Sequence, residues 1–124
     1  MSTHDQESRD QASYVASCPE CDVDLRTETP NEIVAFYRRH YRVTGHEVQI
    51  EHAQPEIDTD VTGDGLKDVV GQLQDQYENG VPFGVVAAVM SERGQSIGET
   101  LDEIHEVRMT GSLYEPQDDH LGAF

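Results

Sequence analysis

The sequence predicts an α+β fold in two small modules, and three observations carry that expectation. A Cys-x2-Cys pair, Cys18 and Cys21, stands ahead of an amphipathic stretch that holds a histidine near its C-terminal end. Three further helical stretches follow one another in the second half, each closed by a turn residue. The chain then finishes on two apolar runs that flank Gln117-Asp118-Asp119, the pattern of a β-hairpin.

Read in order, residues 1–12 are polar and without periodicity, as a disordered tail would be. The first module spans 13–53. Its opening stretch, Tyr14 to Leu25, is β-like and interrupted by Cys18-Pro19-Glu20-Cys21. A helix start follows: Thr29 is placed to act as N-cap, Pro30 suits the first helical position, and Glu32 completes a T-x-x-E capping box. Ile33, Phe36, Tyr37, His40 and Tyr41 recur at helical spacing until Gly45, a natural stop. His46 to His52 alternates apolar and polar residues like a half-buried strand. Residues 54–64 are acidic and contain Pro55 and Gly63, the composition of a linker.

The second module, 65–124, is expected to hold three helices and a hairpin wing. Leu66, Val69, Val70, Leu73 and Tyr77 mark the first helix, which stops at Asn79-Gly80. Pro82 opens the second, whose apolar face carries Phe83, Val86, Val89 and Met90 up to Gly94. Ser96 and Glu99 form a second capping box ahead of Ile97, Leu101, Ile104 and Val107, and Gly111 ends the third helix. Leu113-Tyr114 and Leu121 to Phe124 supply the two wing strands. Three short helices and a hairpin are the arrangement of a winged helix-turn-helix.

The charge balance is extreme, with 25 acidic against 8 basic residues for a net charge of −17, and Lys67 is the only lysine. Disorder, a basic partner and adaptation to molar intracellular salt all produce such a surface. Helical periodicity persists among carboxylates scattered along the whole chain, which favours the halophilic reading, where the Debye length shrinks to about 3 Å. No run of about 18 apolar residues is available to span a membrane. The polar, acidic start Met1-Ser2-Thr3-His4-Asp5 lacks a signal-peptide core, so a cytoplasmic protein is expected. A reducing compartment disfavours a structural disulfide between the two cysteines.

The metal-ligand pattern is C-x2-C-x18-H-x5-H through Cys18, Cys21, His40 and His46. Cysteines two residues apart can present both thiolates to one tetrahedral ion, so a structural Zn2+ is the expected cofactor. The pattern resembles the two-Cys two-His zinc finger, and Thr44-Gly45-His46 is similar to sequences of that class. It departs from the class in its longer central spacer and in placing Gly45 before the second histidine. His52 follows His46 at the same x5 interval and competes with it as fourth ligand. A redox pair or two inert cysteines are the other readings. Redox chemistry wants the first cysteine at a helix N-terminus, whereas Asp22-Val23-Asp24 follows this pair.

Arg38, Arg39 and Arg42 cluster on the finger helix, and with Arg108 they are the candidate nucleic-acid contacts. The competing reading is that these arginines pair with local carboxylates or hold the two modules together.

Residues 66–124 resemble the C-terminal winged helix of archaeal minichromosome maintenance helicases. The resemblance runs through Tyr77-Glu78-Asn79-Gly80-Val81-Pro82 and Glu103–Gly111, and is densest at Gly111-Ser112-Leu113-Tyr114-Glu115-Pro116. It covers almost half the chain. With no G-x-x-x-x-G-K-[ST] anywhere, it implies an accessory, regulatory or DNA-interacting module of replication or transcription rather than a motor. The expected recognition helix is acidic at Glu99, Asp102, Glu103 and Glu106, and carboxylates repel phosphates. A protein-protein adaptor is therefore the alternative to a DNA-binding protein. No nucleophile elbow or H-E-x-x-H motif points to an enzyme.

Overall fold

A computed structural model describes residues 14–53 and 65–123; the expected tail, the expected linker, Phe124 and the side chains of His52 and Ala53 lie outside the described part. The chain runs β1 (Tyr14–Cys18), β2 (Val23–Thr27), α1 (Pro30–Thr44), β3 (Gln49–Ala53), α2 (Leu66–Leu73), β4 (Val81–Pro82), α3 (Phe83–Glu92), α4 (Ile97–Met109), β5 (Leu113–Gln117) and β6 (His120–Ala123). A single 3-10 turn, Gln74–Gln76, extends α2. The α+β class is as expected, and among the described residues no helix is long and apolar enough to cross a membrane.

The first sheet has strand order β2-β1-β3, with both pairs antiparallel. Alternation along β1 buries Tyr14, Ala16 and Cys18 and leaves Val15 and Ser17 half-covered, so one face of the sheet turns to α1. Tyr14 and Ala16 there meet Ile33, Tyr37 and Val48 in one apolar cluster. The Cys18 end of β1 is thereby fixed relative to the helix.

The start of α1 departs from the expected capping box. Thr29 is extended but its side chain caps nothing. Thr27 takes over: its Oγ1 donates to the Glu32 carboxylate and accepts the Thr29 N–H at 3.0 Å. Gly45 ends the helix as expected, in the left-handed region at φ 77° with its N–H on the Tyr41 carbonyl. Tyr41, which shares the helical spacing of Ile33 and Tyr37, is 47% exposed and stacks on Tyr37 at the rim.

In the second half a further strand, β4, joins the two strands of the expected hairpin. Val81 pairs with Leu121 and Pro82 with His120, so the second sheet has the order β4-β6-β5. The Ser96–Glu99 capping box is complete at the start of α4, with both reciprocal hydrogen bonds formed. The helix expected to be amphipathic, α3, is buried all round from Phe83 to Met90. It is the shared inner element of the molecule.

That shared burial joins the two halves. Val34 of α1 sits in the larger core with Val69, Leu73, Val86 and Leu121, while Ala88 and Ile97 sit in the core of the first half. Gly84 makes the approach of α1 and α3 possible, because a Cβ there would lie 1.9 Å from the Pro30 carbonyl oxygen.

Candidate metal centre

The turn between β1 and β2 is a tight knuckle. The N–H groups of Cys21 and Asp22 both donate to the Cys18 carbonyl, at 3.3 and 3.2 Å, and Asp22 adopts φ 56° to close it. This folds the Cys21 thiol back beside that of Cys18. Helix α1 brings His40 to the same place from the other side, and the Gly45 stop swings His46 in behind it. His46 N–H is held by Thr44 Oγ1 at 3.0 Å, and Thr44 Oγ1 in turn donates to the His40 carbonyl at 2.8 Å. One threonine thus fixes the backbone joining the two histidines.

The expected ligand set, Cys18, Cys21, His40 and His46, converges: one donor atom of each lies within 4.8 Å of all the others. His46 Nδ1 is 3.7 Å from Cys18 Sγ and 3.1 Å from Cys21 Sγ. Metal–sulfur and metal–nitrogen bonds of about 2.3 and 2.05 Å at a tetrahedral angle put sulfur and nitrogen about 3.6 Å apart. The observed pair of distances brackets that value.

A second observation fits an ion here. His40 Nε2 is buried without a hydrogen-bond partner, and buried polar nitrogens are rarely left so. The ring is gripped from outside by Phe36, stacked at 5.7 Å between centroids. A cation at the focus of the four donors would satisfy that nitrogen. Two thiolates and two imidazoles are a borderline-soft set suited to a tetrahedral divalent ion of the zinc type.

Both cysteines are free thiols. Desolvation pushes the Cys21 thiol above its ordinary pKa, and the neighbouring Cys18 sulfur and the Glu20 carboxylate add to the rise. An activated redox thiolate needs the opposite shift. A bound dication would reverse it, because metal ligation deprotonates thiols outright.

His52, the competing fourth ligand, lies in β3 opposite Val15, and its side chain is outside the described part. Glu20 was not singled out in the sequence, although a carboxylate inside a Cys-x2-Cys knuckle is a visible signal. Its Oε1 lies 3.4 Å from His46 Nε2, on the side of the ring away from the sulfurs.

The expected nucleic-acid contacts are not gathered in one place. Arg38 is drawn to the β5–β6 turn, where its guanidinium pairs with Asp119 at 3.1 Å and covers the Phe83 ring. Arg108 pairs with Glu115 at 2.9 Å. Arg39 and Arg42 are exposed on α1, next to Val43, which is 78% exposed.

No curated protein and no solved structure matches the chain. Residues 15–52 match a family model described as HVO_B0008 N-terminal, and residues 71–121 match one described as HVO_B0008 C-terminal domain, so the chain is similar to that family in both of its halves.

Proposed function

We propose that this chain is a non-enzymatic binding protein, stabilised by a structural zinc, in which a finger-like module and a winged-helix module act together to dock a protein partner. The winged-helix reading is supported by the order α2-β4-α3-α4-β5-β6 and by β4 pairing with the last strand of the hairpin. Four protein ligands would leave no open position on the ion for a reacting water, which supports a structural role. The acidic surface suits a cytoplasm of high salt. The resemblance of Gly111–Pro116 to the helicase winged helix supports a partner in replication or transcription.

One observation carries the preference for protein over DNA. In a helix-turn-helix, the N-terminal residues of the recognition helix reach the bases. Here that end of α4 is packed into the first half: Ile97 is 2% exposed among Tyr14, Ile33 and Tyr37, and Gly98 faces the Tyr37 hydroxyl. The exposed side of the helix, from its first turn onward, presents Glu99, Asp102 and Glu106. A duplex would meet carboxylates.

A second reading, nucleic-acid contact through α1, is favoured by Arg39 and Arg42, which are exposed and have no ion pair among the described residues. Titration of the zinc-loaded chain into labelled single- and double-stranded DNA across a range of potassium chloride separates the two. The docking proposal expects no binding at any salt at which the protein stays folded. Binding that Arg39→Glu and Arg42→Glu abolish would replace it with the second reading.

A further inference from the structure

We infer that Glu20 is the outer carboxylate of the metal centre, holding His46 so that it binds through Nδ1 while His40 binds through Nε2. The inference rests on the zinc reading above and goes beyond it, because the ligand set alone says nothing of which ring nitrogens are used.

The two histidines arrive by different routes, and the geometry sorts their nitrogens. His46 sits just after α1 with Nδ1 turned to the sulfurs, 3.1 Å from Cys21 Sγ, and Nε2 turned to Glu20 at 3.4 Å. His40 lies within α1, and the nitrogen it leaves buried and unpartnered is Nε2. A neutral imidazole bound to metal through one nitrogen must carry its proton on the other. Ligation at Nδ1 therefore puts an N–H on His46 Nε2, and Glu20 is the acceptor already standing there.

Glu20 is well built for that part. It lies inside the Cys-x2-Cys knuckle, so the turn that places the two sulfurs also places the carboxylate. Such a partner fixes the tautomer and orientation of the ring and raises its basicity as a ligand. The carboxylate also adds negative charge beside a dication. The two roles are separable, because only the first depends on the His46 ring nitrogen.

The test uses the full chain with Zn2+. Long-range proton–nitrogen NMR of the histidine rings in the zinc-loaded protein reports the ligating nitrogen of each. Chelator competition then compares wild type with Glu20→Gln, Glu20→Ala and, as a charge control on the same hairpin, Asp24→Asn. The expected result is Nδ1 for His46 and Nε2 for His40, with Glu20→Ala binding zinc about 10–100-fold more weakly at unchanged stoichiometry. Faster solvent exchange of the His46 Nε2–H should accompany that loss. Glu20→Gln, which keeps an acceptor oxygen, should fall between wild type and Glu20→Ala, and Asp24→Asn should stay near wild type. Ligation of His46 through Nε2, or equal losses in Glu20→Ala and Asp24→Asn, would overturn the role of Glu20 while leaving the centre intact. A wild-type chain that takes up no zinc would overturn the centre and this inference together.

Discussion

Asn31 caps a helix to which it does not belong. It lies at the start of α1, yet its Oδ1 accepts the N–H of Gly84 in the first turn of α3 at 2.8 Å. The residue at the N-cap position of α3 is Pro82, whose side chain has no acceptor to offer. The other end of the same amide, Nδ2, donates to the Asp119 carbonyl in the β5–β6 turn at 3.0 Å, and that carbonyl also accepts the Phe83 N–H at 2.8 Å. Helix α1, the buried helix α3 and the β5–β6 turn therefore meet at one side chain.

Asn31→Ala should destabilise the chain by about 1–2 kcal/mol, the usual range for a lost N-cap. Asn31→Asp keeps the acceptor for Gly84 but turns a carboxylate oxygen toward the Asp119 carbonyl, so it should not restore wild-type stability. Chemical denaturation of the three proteins checks the order wild type, then Asp, then Ala or level with it. Equal midpoints would show that water replaces the amide at no cost.

Gly84→Ala attacks the same junction through volume. The added methyl would meet the Pro30 carbonyl oxygen at 1.9 Å and its carbon at 2.2 Å, both backbone atoms that cannot rotate away. Helices α1 and α3 must then separate, with a cost of about 2–3 kcal/mol or more from overpacking. A thermal melt measures the loss, and an unchanged melting temperature would contradict the close approach.

The two expected capping boxes divide cleanly into one formed and one not. Ser96→Ala should lower stability by about 1 kcal/mol, because Ser96 Oγ accepts the Glu99 N–H at 3.1 Å and the Glu99 carboxylate returns to the Ser96 N–H at 3.0 Å. Thr29→Ala should cost little, since that side chain caps nothing. Thr27→Ala should cost more than Thr29→Ala, because Thr27 is the residue bonded to both Glu32 and the Thr29 N–H. Denaturation midpoints of the three variants test the ranking.

Tyr37 gives the fold an alkaline limit. Burial first, and then the carboxylate of Glu47 and the hydroxyl of Tyr41, push its phenol up to about 12 from an ordinary value near 10. Between those two values the folded state holds a proton that the unfolded chain has released. Its contribution to stability is therefore complete below about pH 10 and is lost as the pH rises toward 12. Unfolding free energies measured across this window should fall more steeply in wild type than in Tyr37→Phe. Parallel curves would place the proton linkage elsewhere.

What the sequence revealed and what it hid follow from the range of the interactions concerned. Gly45, Ser96 with Glu99, and the Asp118-Asp119 turn act within a few residues of themselves, and each stands where local chemistry puts it. The four candidate ligands are legible because metal chelation constrains residue type so strongly, although their convergence depends on the knuckle, the helix and the Gly45 stop together. Thr29 misled because Thr27 offers Glu32 an equivalent hydroxyl from the preceding strand. Strand β4 is only Val81–Pro82 and owes its existence to β6, some forty residues away, so no local pattern announces it. The complete burial of α3 was hidden for a similar reason: Ala88 lies off the apolar face of Phe83, Val86, Val89 and Met90, and is buried with Ile33 and Tyr37 of α1. Glu20 is one carboxylate among 25, and only its place between the two cysteines sets it apart.

Cobalt(II) substitution of the full chain tests the metal centre most directly. The predicted result is one ion per chain, with the thiolate charge-transfer band and intense visible bands of a tetrahedral two-sulfur, two-nitrogen site, displaced stoichiometrically by Zn2+ and lost in Cys18→Ser and in His46→Ala. Cobalt that stays in solution with its pale octahedral spectrum, or a tetrahedral spectrum that survives both substitutions, would contradict it.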